Sequence, residues 1–412
     1  MAPRTAPRTD VNRSAILAFL GAQGPASRAD LARGLNVSPA LITQLSRELI
    51  SDGLLRELEH SPSQGGRPAR MLGLVSTAGR AIGVKVVSDH AAFVEVGIDG
   101  VVVRSASEPF DASAAVAIAD LTGLLQRFIA GGSNSPILGV GVGVPGTVDR
   151  QGDGTVDSTQ LGWNQVPLGA ALKRALNLPV LIDNNVNALT MAERLFGQGR
   201  QHQDFLVVTI GTGVGAGIVS DGAVLRGHSG GAGEIGHIPV DQNGPLCQCG
   251  NHGCLETYVG EEALVRAARS AGIIGANAGI SSLRTEADAG NAEAQAIFSA
   301  AGHILGRTLA GVVNTLDPEI LIVLGEGVSA WSHWSFGFEP ALRSSLVPSR
   351  RGIPVAVETW QDDSWAQGAA CLVLATPFDA DGVAGDQGQL VRARLRDATL
   401  TPDSRSGRDS VE

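Results

Sequence analysis

The segment LIDNNVN, residues 181–187, sets one carboxylate, Asp183, beside three amides at Asn184, Asn185 and Asn187. An apolar, β-branched run, NLPVLI, leads into it, so the polar cluster falls where a strand gives way to a helix. Such a cluster can supply a general base, hold hydroxyls, or cap a helix through Asp183 or Asn184. A second cluster, GEIGHIPVDQNGPLCQCGNHGCLE, contains three of the four cysteines. His237, Cys247, Cys249 and Cys254 follow the pattern His-x9-Cys-x-Cys-x4-Cys. Three thiolates and an imidazole are a preferred tetrahedral set for a structural zinc ion, with no open position for a catalytic water. His252 lies in the same loop and is the competing ligand; its place between glycines favours exposure, which favours His237. Cys371, in the apolar run AACLVL, is expected to be a buried filler.

The loop IGTGVGAG resembles a dinucleotide fingerprint only superficially. That fingerprint requires its glycines to open a helix, and here they run into the β-rich AGIVSDGAVL. The loop therefore reads as a tight hairpin, which can still turn backbone N–H groups toward a phosphate.

Around these clusters, 412 residues with 43% hydrophobic content suffice for several packed domains. No run of about 18 uncharged apolar residues is present, so no membrane span is expected. The basic, Pro-rich MAPRTAPRTDVNR has no apolar core, so no signal peptide is expected and the chain reads as cytoplasmic, with reduced thiols. The net charge is −10, but residues 1–75 carry nine arginines against six acidic residues. A small basic module is joined to an acidic body.

The basic module has the helical spacing Ile16, Leu17, Phe19, Leu20, then SRADLARGLNV with Ser27 as N-cap and Asp30 at the third helical position. A third helix starts at Ser38 with Pro39 in its first turn and buries Ile42, Leu45 and Leu49. It is followed by strand, Gly-rich turn and strand. This is the pattern of a winged helix-turn-helix, whose third helix fits the DNA major groove. Ser38, Thr43, Gln44 and Arg47 on that helix, with Arg67 and Arg70 on the wing, are the expected contacts to operator DNA. The plainer alternative is a small helical subdomain with a polar face.

From about Ala81 strands alternate with helices, and the series repeats from DFLVVTIGTGVGAGIV. An α/β body of two lobes with a cleft between them is expected. The domains read as 1–78 for the DNA-binding module and 79–378 for the body. Its first lobe spans about 79–197 plus the last helix and its second about 198–364, and a disordered tail covers 379–412.

The combination of GGAGEIGH, GHIPVDQNGPLCQCGNHGCLET, GTGVGAG, GVGVPGTVD and LGWNQVPL with the N-terminal module resembles the ROK family of repressors, open-reading-frame proteins and sugar kinases. The resemblance runs from about Asn12 to Ala375. It implies a two-lobed actin-like ATPase (ribonuclease H-like) fold, a structural zinc, a sugar or sugar-phosphate ligand, and homodimers or homotetramers. It also implies that Glu234, His237 and Glu256 contact sugar hydroxyls and that Asn184 and Asn185 stand at the family's Asn-Asp pair.

Two departures from the kinase pattern decide the expected activity. Where a ROK kinase has Asp-x-Gly-Gly-Thr to hold phosphates and metal, this chain has Lys85-Val86-Val87-Ser88-Asp89. Where the kinase has a catalytic Asp, this chain has Asn185, whose amide has no useful basicity; loss of a general base costs on the order of 10²–10⁴ in rate. Glu326 in VLGEGV is a third, smaller change near the adenine side. No catalytic residue is therefore expected. The expected function is a sugar-responsive transcriptional regulator, a repressor of carbohydrate genes. The alternative is an ATP-dependent hexose or N-acylhexosamine kinase carrying a DNA-binding module.

Overall fold

The computed structural model describes residues 9–58, 70–149, 154–358, 363–376 and 385–400. Arg67 and the expected wing tip lie outside these residues. The N-terminal module comprises α1 (Thr9–Gln23), β1 (Ala26–Ser27), α2 (Arg28–Leu35), α3 (Pro39–Ser51), β2 (Leu55–Leu58) and β3 (Met71–Leu74). Ser27 and Asp30 form a reciprocal capping box on α2, and Asn36 ends it in the left-handed region at φ 54°. On α3 the Ser38 hydroxyl accepts the Leu41 N–H at 3.3 Å. Ile42, Leu45 and Leu49 are fully buried against Ile16, Leu17 and Leu31. The strands pair antiparallel in the order β1-β3-β2. Three helices with this sheet are consistent with a DNA-binding domain. The two-residue β1 is too short to show a period in sequence.

The same compact unit, residues 1–200 with 365–412, continues with β4 (Arg80–Val86), β5 (His90–Gly97), β6 (Val102–Pro109), α4 (Ala117–Ala130), β7 (Ile137–Val144), β8 (Thr147–Asp149), β9 (Thr155–Ser158), β10 (Trp163–Val166), α5 (Leu168–Leu176), β11 (Val180–Asn184) and α6 (Asn185–Leu195). The main sheet runs β11-β7-β4-β5-β6, with β7 parallel to both β11 and β4. Strand β7, ILGVGVGV, alternates strictly. Val140, Val142 and Val144 enter a core with Phe93 and Leu121, while the glycines line the other face.

The second unit, residues 201–364, holds β12 (Phe205–Ile210), β13 (Val214–Ser220), β14 (Ala223–Leu225), α7 (Glu256–Val259), α8 (Glu261–Ser270), α9 (Ile280–Asp288), α10 (Ala292–Leu316), β15 (Ile320–Leu324), α11 (Trp331–Ser345) and β16 (Val355–Val357). Its sheet runs β14-β13-β12-β15-β16. The glycine loop closes an antiparallel hairpin in which Ile210 pairs with Val214, as the β-rich sequence after it requires. By length and composition α10 could cross a membrane, at 25 residues and a mean hydropathy of 1.4. Its apolar residues Phe298, Leu305, Leu309 and Val313 are instead buried in this unit's core. Gly302 and Gly306 bring it onto the backbone of α11, where a Cβ at Gly306 would stand 2.5 Å from the Phe338 carbonyl oxygen.

Helix α12 (Asp363–Ala375) returns to the first unit and seats on the glycine face of the sheet. A Cβ at Gly83 would lie 1.9 Å from the Ala366 carbonyl oxygen, and one at Gly141 1.8 Å from that of Ala369. Gly368 lets α6 abut α12, its absent Cβ being 2.8 Å from the Leu189 Cα. The turn at Asp99-Gly100 then meets three elements. Gly100 faces the Phe196 ring at the end of α6, its carbonyl accepts from Gln367 Nε2 at 2.9 Å, and Asp99 closes on Gly21 of α1.

Residues 385–400 correct the expectation of a disordered tail, for they form α13 (Gly385–Leu400). Val391 and Leu395, one turn apart, are buried, Arg394 Nε donates to the Ile137 carbonyl at 2.7 Å, and Gln387 accepts the Val180 N–H at 3.1 Å. Two apolar positions sufficed, and the surrounding charged and small residues hid them in composition. From the sheet–helix seam, Gly141→Ala should destabilise the protein by about 2 kcal/mol or more. Gly311→Ala, which meets nothing within 4 Å on α10, should be neutral or stabilising by up to about 1 kcal/mol. Chemical denaturation of both variants measures the contrast.

Candidate functional site

His237, Cys247, Cys249 and Cys254 converge, with one ligand atom from each lying within 4.8 Å of the others. His237 Nδ1 is 3.5 Å from Cys247 Sγ, and Cys249 Sγ is 3.7 Å from Cys254 Sγ. A zinc tetrahedron built from ordinary bond lengths has N–S edges of about 3.6 Å and S–S edges of about 3.8 Å, so the donor set fits such an ion. Burial raises Cys247 and pushes Cys254 up to about 12, aided by the neighbouring thiols. The Asn251 backbone N–H lowers Cys249. Three thiolates at neutral pH therefore require a cation among them. His252, the competing ligand, instead places Nδ1 3.1 Å from the Gly244 carbonyl oxygen. Gly253 permits the loop's closure, since a Cβ there would overlap the Asp241 carbonyl oxygen. Tyr258 donates to Asp241 at 2.8 Å and fixes the other side.

The other nitrogen of His237, Nε2, lies 3.8 Å from Glu234. One imidazole thus spans the thiol cluster and a carboxylate. Glu256, at the start of α7, accepts the Val214 N–H at 3.2 Å, which aims it from the hairpin that follows the glycine loop. Glu234 keeps a side chain 46% exposed, yet desolvation by its surroundings and the nearby Glu256 charge raise its carboxyl above the usual range. Glu234, His237 and Glu256 offer four carboxylate oxygens and a ring nitrogen in one region of the second unit. That chemistry suits polyhydroxylated ligands.

In the first unit the two asparagines part company. Asn184 caps α6 by accepting the Val186 N–H at 2.8 Å, and its Nδ2 donates to the Gly146 carbonyl at 2.8 Å. Its amide is thus committed to holding the helix and the loop after β7. Asn185 accepts the same Val186 N–H at 2.9 Å, and its Nδ2 has no partner among the described residues. Asp183, which sequence reading left as a possible cap, is buried and accepts from Asn184 N and Asn187 Nδ2. It organises the segment from inside.

The Lys85–Asp89 stretch runs from β4 into a tight turn in which Val87 N–H donates to the His90 carbonyl at 3.1 Å. The Lys85 ammonium stands 4.9 Å above the Trp365 ring. Asp89 projects with 83% of its side chain exposed, and His90, 2.8 Å away, holds its carboxyl below the ordinary range. An anionic side chain therefore marks the turn, the reverse of what a phosphate requires.

The ROK family pattern matches residues 106–376. The chain belongs to the ROK family. Among similar ROK proteins, the xylose repressor of Bacillus subtilis is 29% identical over 316 residues, covering 76% of this chain and 81% of that relative. The DNA-binding transcriptional dual regulator NagC of Escherichia coli is 27% identical over 379 residues, covering 88% and 92%. A crystal structure of a ROK family transcriptional regulator, a homologue of the E. coli MLC protein, superposes with a TM-score of 0.71 at 25% identity, covering 94% of this chain and 99% of that one. A ROK family glucokinase from Streptomyces griseus, in complex with glucose and AMPPNP, gives 0.64 at 27% identity but covers 71% of this chain. The two-lobed ROK fold expected from sequence is thus the fold found.

Ahead of the ROK body, Gln44 and Arg47 of α3 are exposed. Gln44 Nε2 donates to Glu48 at 3.0 Å, and the Thr43 hydroxyl donates to the Pro39 carbonyl at 2.8 Å. Arg70 pairs with Glu57 at 2.7 Å, so this wing arginine is held rather than loose. From the cluster geometry, elemental analysis should find one metal ion per chain. Cys254→Ser should release it and lower thermal stability by roughly 5 °C or more, whereas Cys371→Ala should keep it.

Proposed function

We propose that this protein is a sugar-responsive, DNA-binding transcriptional repressor whose kinase-like body is not an enzyme. The observation that carries the reading is the Lys85–Asp89 turn. It puts an exposed carboxylate and a ring-stacked lysine where phosphoryl transfer needs glycine backbone and metal. Asn185 adds a second, independent loss, since its amide cannot take a proton from an attacking hydroxyl. The named repressors among the relatives support the regulatory role, and two of the matches span 88% and 94% of this chain.

In this reading Glu234, His237 and Glu256 take the hydroxyls of a sugar or sugar phosphate. A structural zinc at His237, Cys247, Cys249 and Cys254 would fix the imidazole through Nδ1, leaving Nε2 for the ligand. Asn185 keeps an amide able to donate, and Asn184 serves as cap and loop tie. Gln44, Arg47, Thr43 and Ser38 meet operator base edges or phosphates, with Arg67 and Arg70 on the wing. A homodimer or homotetramer presents paired modules to a pseudo-palindromic operator in the cytoplasm. Sugar changes DNA affinity only by binding one arrangement of the modules more tightly than another.

Gel-shift titration across a sugar panel is expected to find at least one sugar that changes operator binding. Glu256→Gln should weaken that response by about 10–100-fold, the value of a hydrogen bond to a charged group. A panel with no active sugar counts against the reading. A coupled ADP-release assay should stay far below about 1 s⁻¹, the low end for kinases, in both the parent and Asn185→Asp. Turnover near that value in either would identify a kinase instead.

A further inference from the structure

The N-terminal module holds two arginines on one carboxylate. Arg28 is the first residue of α2, and its Nη2 donates to Glu57 Oε1 at 2.9 Å. Arg70 precedes β3, and its Nη1 donates to the other oxygen, Oε2, at 2.7 Å. Glu57 belongs to β2, so one anionic group ties the start of α2 to both strands at the base of the wing. Arg28 Nε also donates to the Ser46 hydroxyl of α3 at 3.0 Å, which fixes its guanidinium beside the expected recognition helix. Arg28 and then Arg70 hold the Glu57 carboxyl below its ordinary range.

All three side chains keep access to water, Arg70 most of all, at 65%. Exposed ion pairs of this kind add little to stability, so their partners can be exchanged at small cost. A carboxylate and a DNA phosphodiester both carry a single negative charge and both offer two oxygens to guanidinium groups. In a helix-turn-helix the helix ahead of the recognition helix crosses the sugar-phosphate backbone, and arginine is a common donor to phosphate oxygens. Here α2 is that helix.

We propose that Arg28 and Arg70 form a clamp for one backbone phosphate of bound DNA, and that the Glu57 carboxylate stands in for that phosphate while the protein is free. The inference rests on the repressor reading, since it requires DNA on this module, and it adds Arg28 and Glu57 to the interface. Every DNA complex must displace Glu57. The carboxylate therefore lowers affinity for any sequence alike and leaves the choice of operator to α3. The displaced carboxylate also recruits a cation from solution, which offsets part of the counterion release that drives binding.

The test is fluorescence anisotropy on the full-length protein with a labelled DNA duplex of arbitrary sequence, read between about 50 and 200 mM salt. Glu57→Gln should tighten binding about threefold to tenfold, since two exposed ion pairs no longer have to be broken, and should steepen the salt dependence. Glutamine keeps the shape of this exposed side chain, so folding is preserved. Arg28→Ala and Arg70→Ala should each weaken binding and flatten the salt dependence. The gain from Glu57→Gln should shrink in both of these backgrounds. Arg28 also holds Ser46, so Arg70→Ala serves as the background free of that contact. The clamp is overturned, with the repressor reading left standing, if the duplex binds the parent and Glu57→Gln leaves affinity unchanged or weakens it. It is equally overturned if the gain is undiminished in both arginine variants, because Glu57 then acts only by long-range repulsion. A duplex that binds neither the parent nor the Glu57→Gln protein overturns the clamp and the repressor reading together.

Discussion

Peptide backbone laid directly on peptide backbone organises the first unit. Helix α12 puts the carbonyl oxygens of Ala366 and Ala369 where side chains of β4 and β7 would otherwise be, and only glycine at positions 83 and 141 leaves the room. The close approach has a second tier, because Gly368 on the far side of α12 lets α6 come within 2.8 Å of where its Cβ would stand. Placement of α6 in turn places Asn185, which is its first residue. The segment that opened the sequence reading therefore has its position set by a helix 180 residues later in the chain. Close packing of this kind transmits displacement rather than absorbing it, since interiors have little free volume to take up a shift.

The two polar regions differ in what supports them. The carboxylates of the second unit are held by loops, and those loops are held by the His237–Cys254 cluster and by the Tyr258–Asp241 hydrogen bond. The amides of the first unit are held by regular structure, at the junction of β11 and α6. Electrostatics also divides them. Glu234 and Glu256 repel one another, while Asp89 sets an exposed negative charge on a glycine-free turn. On the proposed function, a chain so arranged keeps the recognition half of a sugar kinase and discards the transfer half.

Much of this was legible in the residues. The thiol spacing pointed to the cluster because short Cys-x-Cys and Cys-x4-Cys intervals bring sulfur atoms together whatever the surroundings. The hairpin at Gly211–Gly213 was legible because a β-rich segment, not a helical one, follows it. Two things were not. Asn184 and Asn185 look equivalent in sequence, and only the backbone direction at the start of α6 assigns one to capping and leaves the other's N–H₂ available. The α13 helix rests on two buried apolar residues within a charged stretch, below what composition can detect.

The contact of α1 with the Asp99-Gly100 turn has a geometric consequence. A DNA-binding module tethered by a loose linker could reach half-sites at many separations. Here the module shares a hydrophobic cluster with the body's first sheet and helices, and its first helix is wedged against a turn that also touches Phe196 and Gln367. Its orientation is that of the unit to which it is fastened. In the proposed repressor, the distance between half-sites would therefore be set by that unit and not by the few residues joining β3 to β4.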